Sequence, residues 1–206
     1  TARLSHLHFC PTKTAKENLV KENIDSEKCF VTGNTVIDAL KIISEKLDSD
    51  KNLFEKCKEL MPKINHNKKL ILVTGHRREN FGEGFSQIFD GIEILSKRDD
   101  VEIIYPVHLN PNVKNIAFEK LGKISNIHLI PPVDYPFFVY LMKKAYLIIT
   151  DSGGIQEEAP TLGKPVLVTR NVTERPEAVL AGSSKLVGSN KDLLIEKTIK
   201  LLDDVN

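Results

Sequence analysis

The densest chemistry in this chain lies in ten consecutive residues, Thr150-Asp151-Ser152-Gly153-Gly154-Ile155-Gln156-Glu157-Glu158-Ala159. They follow Tyr146-Leu147-Ile148-Ile149, an apolar run with the composition of a buried parallel strand. Beyond them Ile155, Glu158, Ala159 and Leu162 recur at helical spacing until Gly163-Lys164-Pro165 stops the helix. Ser152-Gly153-Gly154 therefore falls in a strand-to-helix turn. Its three successive backbone N–H groups can face outward, at the positive end of the helix dipole. The two glycines let an anion approach with no Cβ in the way, and the Ser152 hydroxyl adds a donor. A phosphate or diphosphate suits such a turn. Glu158, one helical turn beyond Gly154, can project from the same face and accept the two hydroxyls of a ribose. The competing reading makes Asp151 or Ser152 a plain helix cap and the glycines a tight turn. The acidic pair behind the turn, together with three further polar segments, favours a nucleotide.

Each of those segments follows an apolar run. Gly75-His76-Arg77-Arg78-Glu79-Asn80-Phe81-Gly82-Glu83-Gly84 is far more polar than a connection requires. His76 can donate to a phosphate or a sugar hydroxyl, and Arg77 or Arg78 can pair with an anion; a solvated loop with internal ion pairs is the alternative. In Tyr105-Pro106-Val107-His108-Leu109-Asn110-Pro111-Asn112, His108 reads as a structural histidine and Asn110 as a helix cap before Pro111. Pro131-Pro132-Val133-Asp134-Tyr135-Pro136-Phe137-Phe138 holds extended backbone beside two aromatic rings, a setting for a planar base, with one of the rings expected in the core. Further on, Arg175 is a candidate second cation for a diphosphate, whereas Glu157, Glu174 and Glu177 read as exposed or ion-paired. Walker-type and G-x-G-x-x-G glycine loops are absent, as are H-E-x-x-H and G-x-S-x-G, so no metal, no cofactor and no serine nucleophile are expected.

These residues need a scaffold. From Lys69 onward the pattern alternates apolar β runs with amphipathic helices: strands at Leu70–Thr74, Val101–Val107, Ile127–Ile130, Tyr146–Ile149, Pro165–Val168 and Lys185–Val187, with a last helix from Lys191 to about Leu202. Short β–α connections of this kind imply a parallel sheet with helices on both faces, and in such sheets ligands bind at the carboxyl ends of the strands. Upstream, a strand over Leu4–Phe9, a helix from Thr14 to Lys21 and a strand over Cys29–Thr32 do not join the repeat. They are read as the tail of a preceding Rossmann-like domain, residues 1–33, with 34–206 as the second domain.

The 206 residues carry 29 basic and 28 acidic side chains, a net charge of +1 that gives no reason to expect nucleic acid or an anionic membrane as partner. No apolar run reaches transmembrane length, and no signal-peptide pattern opens the chain. Cys10, Cys29 and Cys57 lack disulfide or zinc spacing, which suggests free thiols in a reducing, cytoplasmic setting. Both ends of the sequence look abrupt, as though cut from a longer chain.

The motifs Gly75-His76-Arg77-Arg78-Glu79-Asn80, Pro106-Val107-His108-Leu109-Asn110-Pro111, Thr150 to Ala159 and Thr173-Glu174-Arg175-Pro176-Glu177 occur in this order. Together they resemble the non-hydrolysing UDP-N-acetylglucosamine 2-epimerases, and Val31-Thr32-Gly33-Asn34-Thr35 resembles that family's interdomain crossover. The resemblance covers essentially the whole chain. It implies the C-terminal half of a GT-B architecture, two Rossmann-like domains with a nucleotide sugar between them, and a homodimer for the full-length protein. By this likeness Ser152, Gly153 and Gly154 hold the diphosphate of UDP-GlcNAc or UDP, and Glu158 the ribose. Phe138 and the backbone at Val133, where many members have Gln, lie against uracil. Arg175 contacts UDP or sugar, and His76 is the catalytic group at the reacting end. Arg77 and His108 resemble positions of a neighbouring regulatory UDP-GlcNAc site. The family's acidic catalytic residues belong to the first domain and are absent here, so these residues alone are expected to be inactive. A GT-B glycosyltransferase donor domain and a non-catalytic UDP-sugar binding module are the competing classes.

Overall fold

The computed structural model describes residues 2–204; the outermost ends that looked abrupt, Thr1 and Val205-Asn206, lie outside the described residues. The chain divides into two compact units, Thr1–Ile42 and Ile43–Asn206. In the first, a 3-10 turn at Ala2–Leu4 precedes strand β1 (His8–Cys10), helix α1 (Lys13–Lys21) and strand β2 (Cys29–Val31). The strand expected over Leu4–Phe9 is displaced and shorter. Leu4 closes the 3-10 turn, and β2 offers only three residues for pairing, His8↔Cys29 to Cys10↔Val31. Thr12 caps α1 by accepting from the Ala15 N–H at 3.0 Å. β1 and β2 run parallel in a two-stranded sheet of their own. Helix α2 (Thr35–Ser49) carries the chain across the division between the units.

In the second unit Asp50 caps helix α3 (Lys51–Leu60) through the Asn52 and Leu53 N–H groups. Regular alternation follows: β3 (Lys69–Thr74), α4 (Glu83–Ser96), β4 (Val101–Pro106), α5 (Pro111–Leu121), β5 (Ile127–Ile130), α6 (Tyr135–Lys144), β6 (Leu147–Thr150), α7 (Ile155–Thr161), β7 (Val166–Val168), α8 (Pro176–Leu180), β8 (Ser184–Leu186) and α9 (Lys191–Asp203). The six strands are parallel in the order β5-β4-β3-β6-β7-β8. This is the doubly wound Rossmann order, which reverses direction between β3 and β6.

Parallel strands of this kind must be covered on both faces, and their residues show it. Ile71, Val73, Ile103, Tyr105, Leu147, Ile149 and Leu167 share one core with Phe85, Phe89, Val113, Leu121, Leu194 and Leu202 of α4, α5 and α9. The alternate residues Leu70, Leu72, Ile104, Ile148, Val166 and Val168 point the other way and are equally buried. The fold is thus a Rossmann-like α/β layer structure. Among the described residues no helix is long and apolar enough to cross a membrane.

Candidate functional site

The switch point lies where β3 and β6 end side by side. Their last residues, Thr74 and Thr150, are in register and share a hydrogen bond between hydroxyls at 2.6 Å. The chain then diverges into the His76 loop on one side and the Ser152 turn on the other, which is where an open α/β sheet leaves a crevice.

At the turn, the Thr150 hydroxyl accepts from the Ser152 N–H at 3.0 Å. Of the three N–H groups expected to face a phosphate, that of Ser152 is therefore already used. The N–H groups of Gly153 and Gly154 have no acceptor among the described residues. Neither glycine has positive φ, and Gly154 is helical at φ −63° and ψ −45°. The demand for glycine at 153 is thus one of approach, not of backbone strain. A Cβ there would find only Arg77 Nη2 at 3.7 Å and a Glu174 oxygen at 4.0 Å. Fully buried Gln156 braces the turn: its amide donates to the Ser152 carbonyl at 3.1 Å, and its oxygen accepts from Thr173 in the loop after β7.

Glu158 is buried on α7, with one carboxylate oxygen 3.5 Å from the position a Gly154 Cβ would take, so it does share the face of the turn. Its other oxygen accepts from the Tyr135 hydroxyl at 2.6 Å. Burial pushes the Glu158 carboxyl above its usual range, with Tyr135 pulling it back and the neighbouring Glu157 charge adding to the rise. Tyr135 opens α6, whose cap is Asp134, accepting from the Phe137 N–H at 3.0 Å. Of the two aromatic rings that follow, Phe137 is core, and Phe138 is half-buried, as is Val133 in the preceding loop.

The cations are arranged differently from the simplest expectation. Arg175 Nε is ion-paired with Glu157, and its Nη1 donates to the Glu174 carbonyl, so its guanidinium is engaged by protein. The cation over the Ser152 turn is Arg77, whose Nε is buried without a partner among the described residues. Buried Arg170 ties the two loops together by donating to Glu79 at 2.7 Å and to Glu174 at 2.6 and 3.1 Å. That bonding to Arg170 holds the Glu174 carboxyl down to about 2.

His76 hangs beside the turn with its ring stacked on that of His108, centroids 5.6 Å apart. His108 is exposed and its Nδ1 accepts from the Asn110 N–H, whose side chain caps α5 as expected. His76, Arg77, His108, Val133, Phe138, Ser152 to Gly154, Glu158 and Arg175 all stand on loops or helix starts at the carboxyl edge of the sheet. Sequence reasoning missed the groups that hold them: Asp151 beyond a possible cap, Asn80, Tyr135, Gln156 and Arg170. Only Asp151 carried a local signal, a charged residue directly after an apolar strand.

A doubly wound sheet with a glycine turn that could receive an anion and a buried carboxylate on the same face has the form of a nucleotide-binding α/β domain. Comparison with known proteins narrows the class. The chain matches the family described as UDP-N-acetylglucosamine 2-epimerase over residues 1–206, and it belongs to that family. It is 56% identical to the UDP-N-acetylglucosamine 2-epimerase of Campylobacter jejuni, covering 98% of this chain and 54% of that protein. With the Escherichia coli K12 protein of the same name the figures are 50%, 100% and 55%. The crystal structure of UDP-GlcNAc 2-epimerase from Neisseria meningitidis bound to UDP-GlcNAc superposes with a TM-score of 0.96 at 50% identity, over 99% of this chain and 55% of that one. The Methanocaldococcus jannaschii enzyme in complex with UDP-GlcNAc and UDP gives 0.87 at 36% identity, over 98% and 56%. The chain thus spans about half the length of these relatives, in keeping with the C-terminal half of a GT-B architecture.

Proposed function

We propose that this chain is the UDP-binding half of a non-hydrolysing epimerase that interconverts UDP-GlcNAc and UDP-ManNAc at C2. The observation that carries the reading is the Ser152 turn, with two free N–H groups, Arg77 above it and Glu158 on the same face. Homology to proteins solved with UDP-GlcNAc and UDP supports it. Residues 1–33 are the tail of the first domain, and 34–206 form the nucleotide domain of a cytoplasmic homodimer.

In this reading the sugar loses its C2 proton as the C1–O bond to UDP breaks, leaving a glucal. Protonation of C2 from the opposite face and return of UDP to C1 complete the inversion. Such a route requires that UDP be held while it is detached, since either fragment escaping ends the cycle. Gly153 and Gly154 N–H groups and Arg77 hold the diphosphate, Glu158 the ribose, and Phe138 with the Val133 backbone the uracil. His76 reaches the sugar and exchanges a proton there; Arg175 supports the diphosphate through Glu157 and the loop, and Arg77 with His108 borders the regulatory nucleotide. Acidic groups of the first domain, as the resemblance implies, supply the remaining acid–base chemistry.

Incubating the full-length protein with UDP-GlcNAc alone in deuterated water tests the reading. Formation of UDP-ManNAc with deuterium at C2 is expected. Free ManNAc with stoichiometric UDP would mean a hydrolysing enzyme, and a requirement for an acceptor would mean a glycosyltransferase.

A further inference from the structure

Asp151 is a carboxylate with no exposed surface, placed directly after β6. It caps no helix: the residue before α7 is Gly154, and no side chain caps that end. A buried carboxylate must be compensated by donors, and all of its donors come from the opposite loop. The His76 N–H donates to both carboxylate oxygens, at 2.9 and 3.1 Å, and the Arg77 N–H donates at 2.8 Å. Asn80 adds a longer contact at 3.4 Å while its amide also donates to the Thr169 carbonyl at 3.1 Å. The ring of His76 turns back onto the same group, with Nδ1 3.4 Å from Oδ1. Nε2, on the far side of the ring, has no hydrogen-bond partner among the described residues, and the side chain is 42% exposed. Stacking on His108 limits rotation out of this plane.

From this arrangement we infer that Asp151 is the positioning residue for His76. It clamps the loop through two successive backbone N–H groups and selects the ring tautomer. The neutral imidazole carries its proton on Nδ1, facing Asp151, and leaves Nε2 as the atom that exchanges a proton with the sugar. When Nε2 gains a proton, the new charge faces a carboxylate already in place, so no group has to reorganise. At 3.4 Å the Nδ1–Oδ1 contact is longer than a tight hydrogen bond, as catalytic contacts in ligand-free proteins commonly are. The inference rests on the role given to His76 above, and its test separates the two.

Full-length protein labelled with 15N at histidine is read first without any mutation. The ring nitrogens of His76, assigned by the loss of signals in His76→Asn, should show the Nδ1-protonated form at alkaline pH. A proton on Nε2 overturns the inference whatever the kinetics. Asp151→Asn, which keeps shape and removes charge, should then lower kcat by about 100-fold with UDP affinity within about twofold. His76→Asn should lose a similar factor, and the double variant should be no worse than His76→Asn alone. Additive losses, or a fall in UDP affinity and melting temperature that accounts for the lost rate, would reduce Asp151 to a structural role and overturn the inference. If His76→Asn keeps full kcat, the functional reading of His76 fails, while the 15N spectrum still decides whether Asp151 sets the tautomer.

Discussion

Glu158 is placed where binding and stability pull apart. Its carboxylate is buried, bonded to Tyr135 and raised above the 4.5 of an ordinary Glu, burial being the main cause. A carboxyl raised in the folded state contributes stability that is fully present below about pH 4.5 and is lost as pH rises through the higher folded value. At neutral pH the ligand-free protein therefore carries the cost of a buried charge. Glu158→Gln should melt at a higher temperature than the parent near neutral pH, the gap closing below about pH 4.5. The same change should weaken UDP by about 1 kcal/mol, because the ribose loses a charge-assisted acceptor, and leave pyrophosphate binding unchanged. Thermal melts across pH and calorimetry with both ligands check this; equal losses for the two ligands would remove Glu158 from the ribose. At Gly153 the backbone is ordinary and the surroundings open, so Gly153→Val should fold with near-parental stability yet lose UDP. Retained UDP affinity would place the phosphate elsewhere.

The loops at the carboxyl edge behave as elements, each pinned to the core or to its neighbour. Gly75 marks where the His76 loop leaves β3, and there the limit is close approach. An added Cβ would lie 2.9 Å from Cε1 of Phe85, a ring 1% exposed and stacked on Phe89 in the core of α4. The Tyr105 hydroxyl also donates to the Gly75 carbonyl at 3.1 Å. Gly75→Ala should cost about 1–3 kcal/mol in urea unfolding through overpacking and should shift the ring signals of His76. Unaltered stability would mean that Phe85 yields freely. The Arg170 bridge joins this loop to the one after β7, and its sign with pH is the reverse of that of Glu158. Glu174 is held at about 2 against an ordinary 4.5, so its contribution is present above about pH 4.5 and is lost as pH falls toward 2. With the Glu174 side chain 55% exposed, solvent screens the pair, and Glu174→Gln should cost at most about 1 kcal/mol at neutral pH and nothing near pH 2.

At the scale of the molecule, the proposed function makes the site in this chain one side of a larger active site, since the chain spans about half the length of its relatives. In that reading it supplies the groups proposed for the nucleotide and one candidate proton-exchange group, His76, whereas the proposed inversion at C2 needs acid–base chemistry on both faces of the sugar. A preparation of these 206 residues should bind UDP weakly, be stabilised by it through mass action, and not turn over UDP-GlcNAc. Turnover by this preparation, measured by NMR of the sugar anomeric protons, would show that the acid–base set is complete here.

Read without coordinates, the chain already determined its layer architecture, because apolar β runs alternating with helical periodicity admit few packings other than a covered parallel sheet. It also determined the Ser152 turn, Asn110 as a cap and one core ring of the Phe137-Phe138 pair, all of which depend on neighbours within a few residues. The short first strand was misplaced, since its length is set by a partner some twenty residues away in sequence. The partners of the site charges were invisible for the same reason. Which arginine lies over the turn and which carboxylate faces His76 depend on β3 and β6 ending side by side. Those residues are more than seventy positions apart, and only the strand order of the folded sheet makes them neighbours.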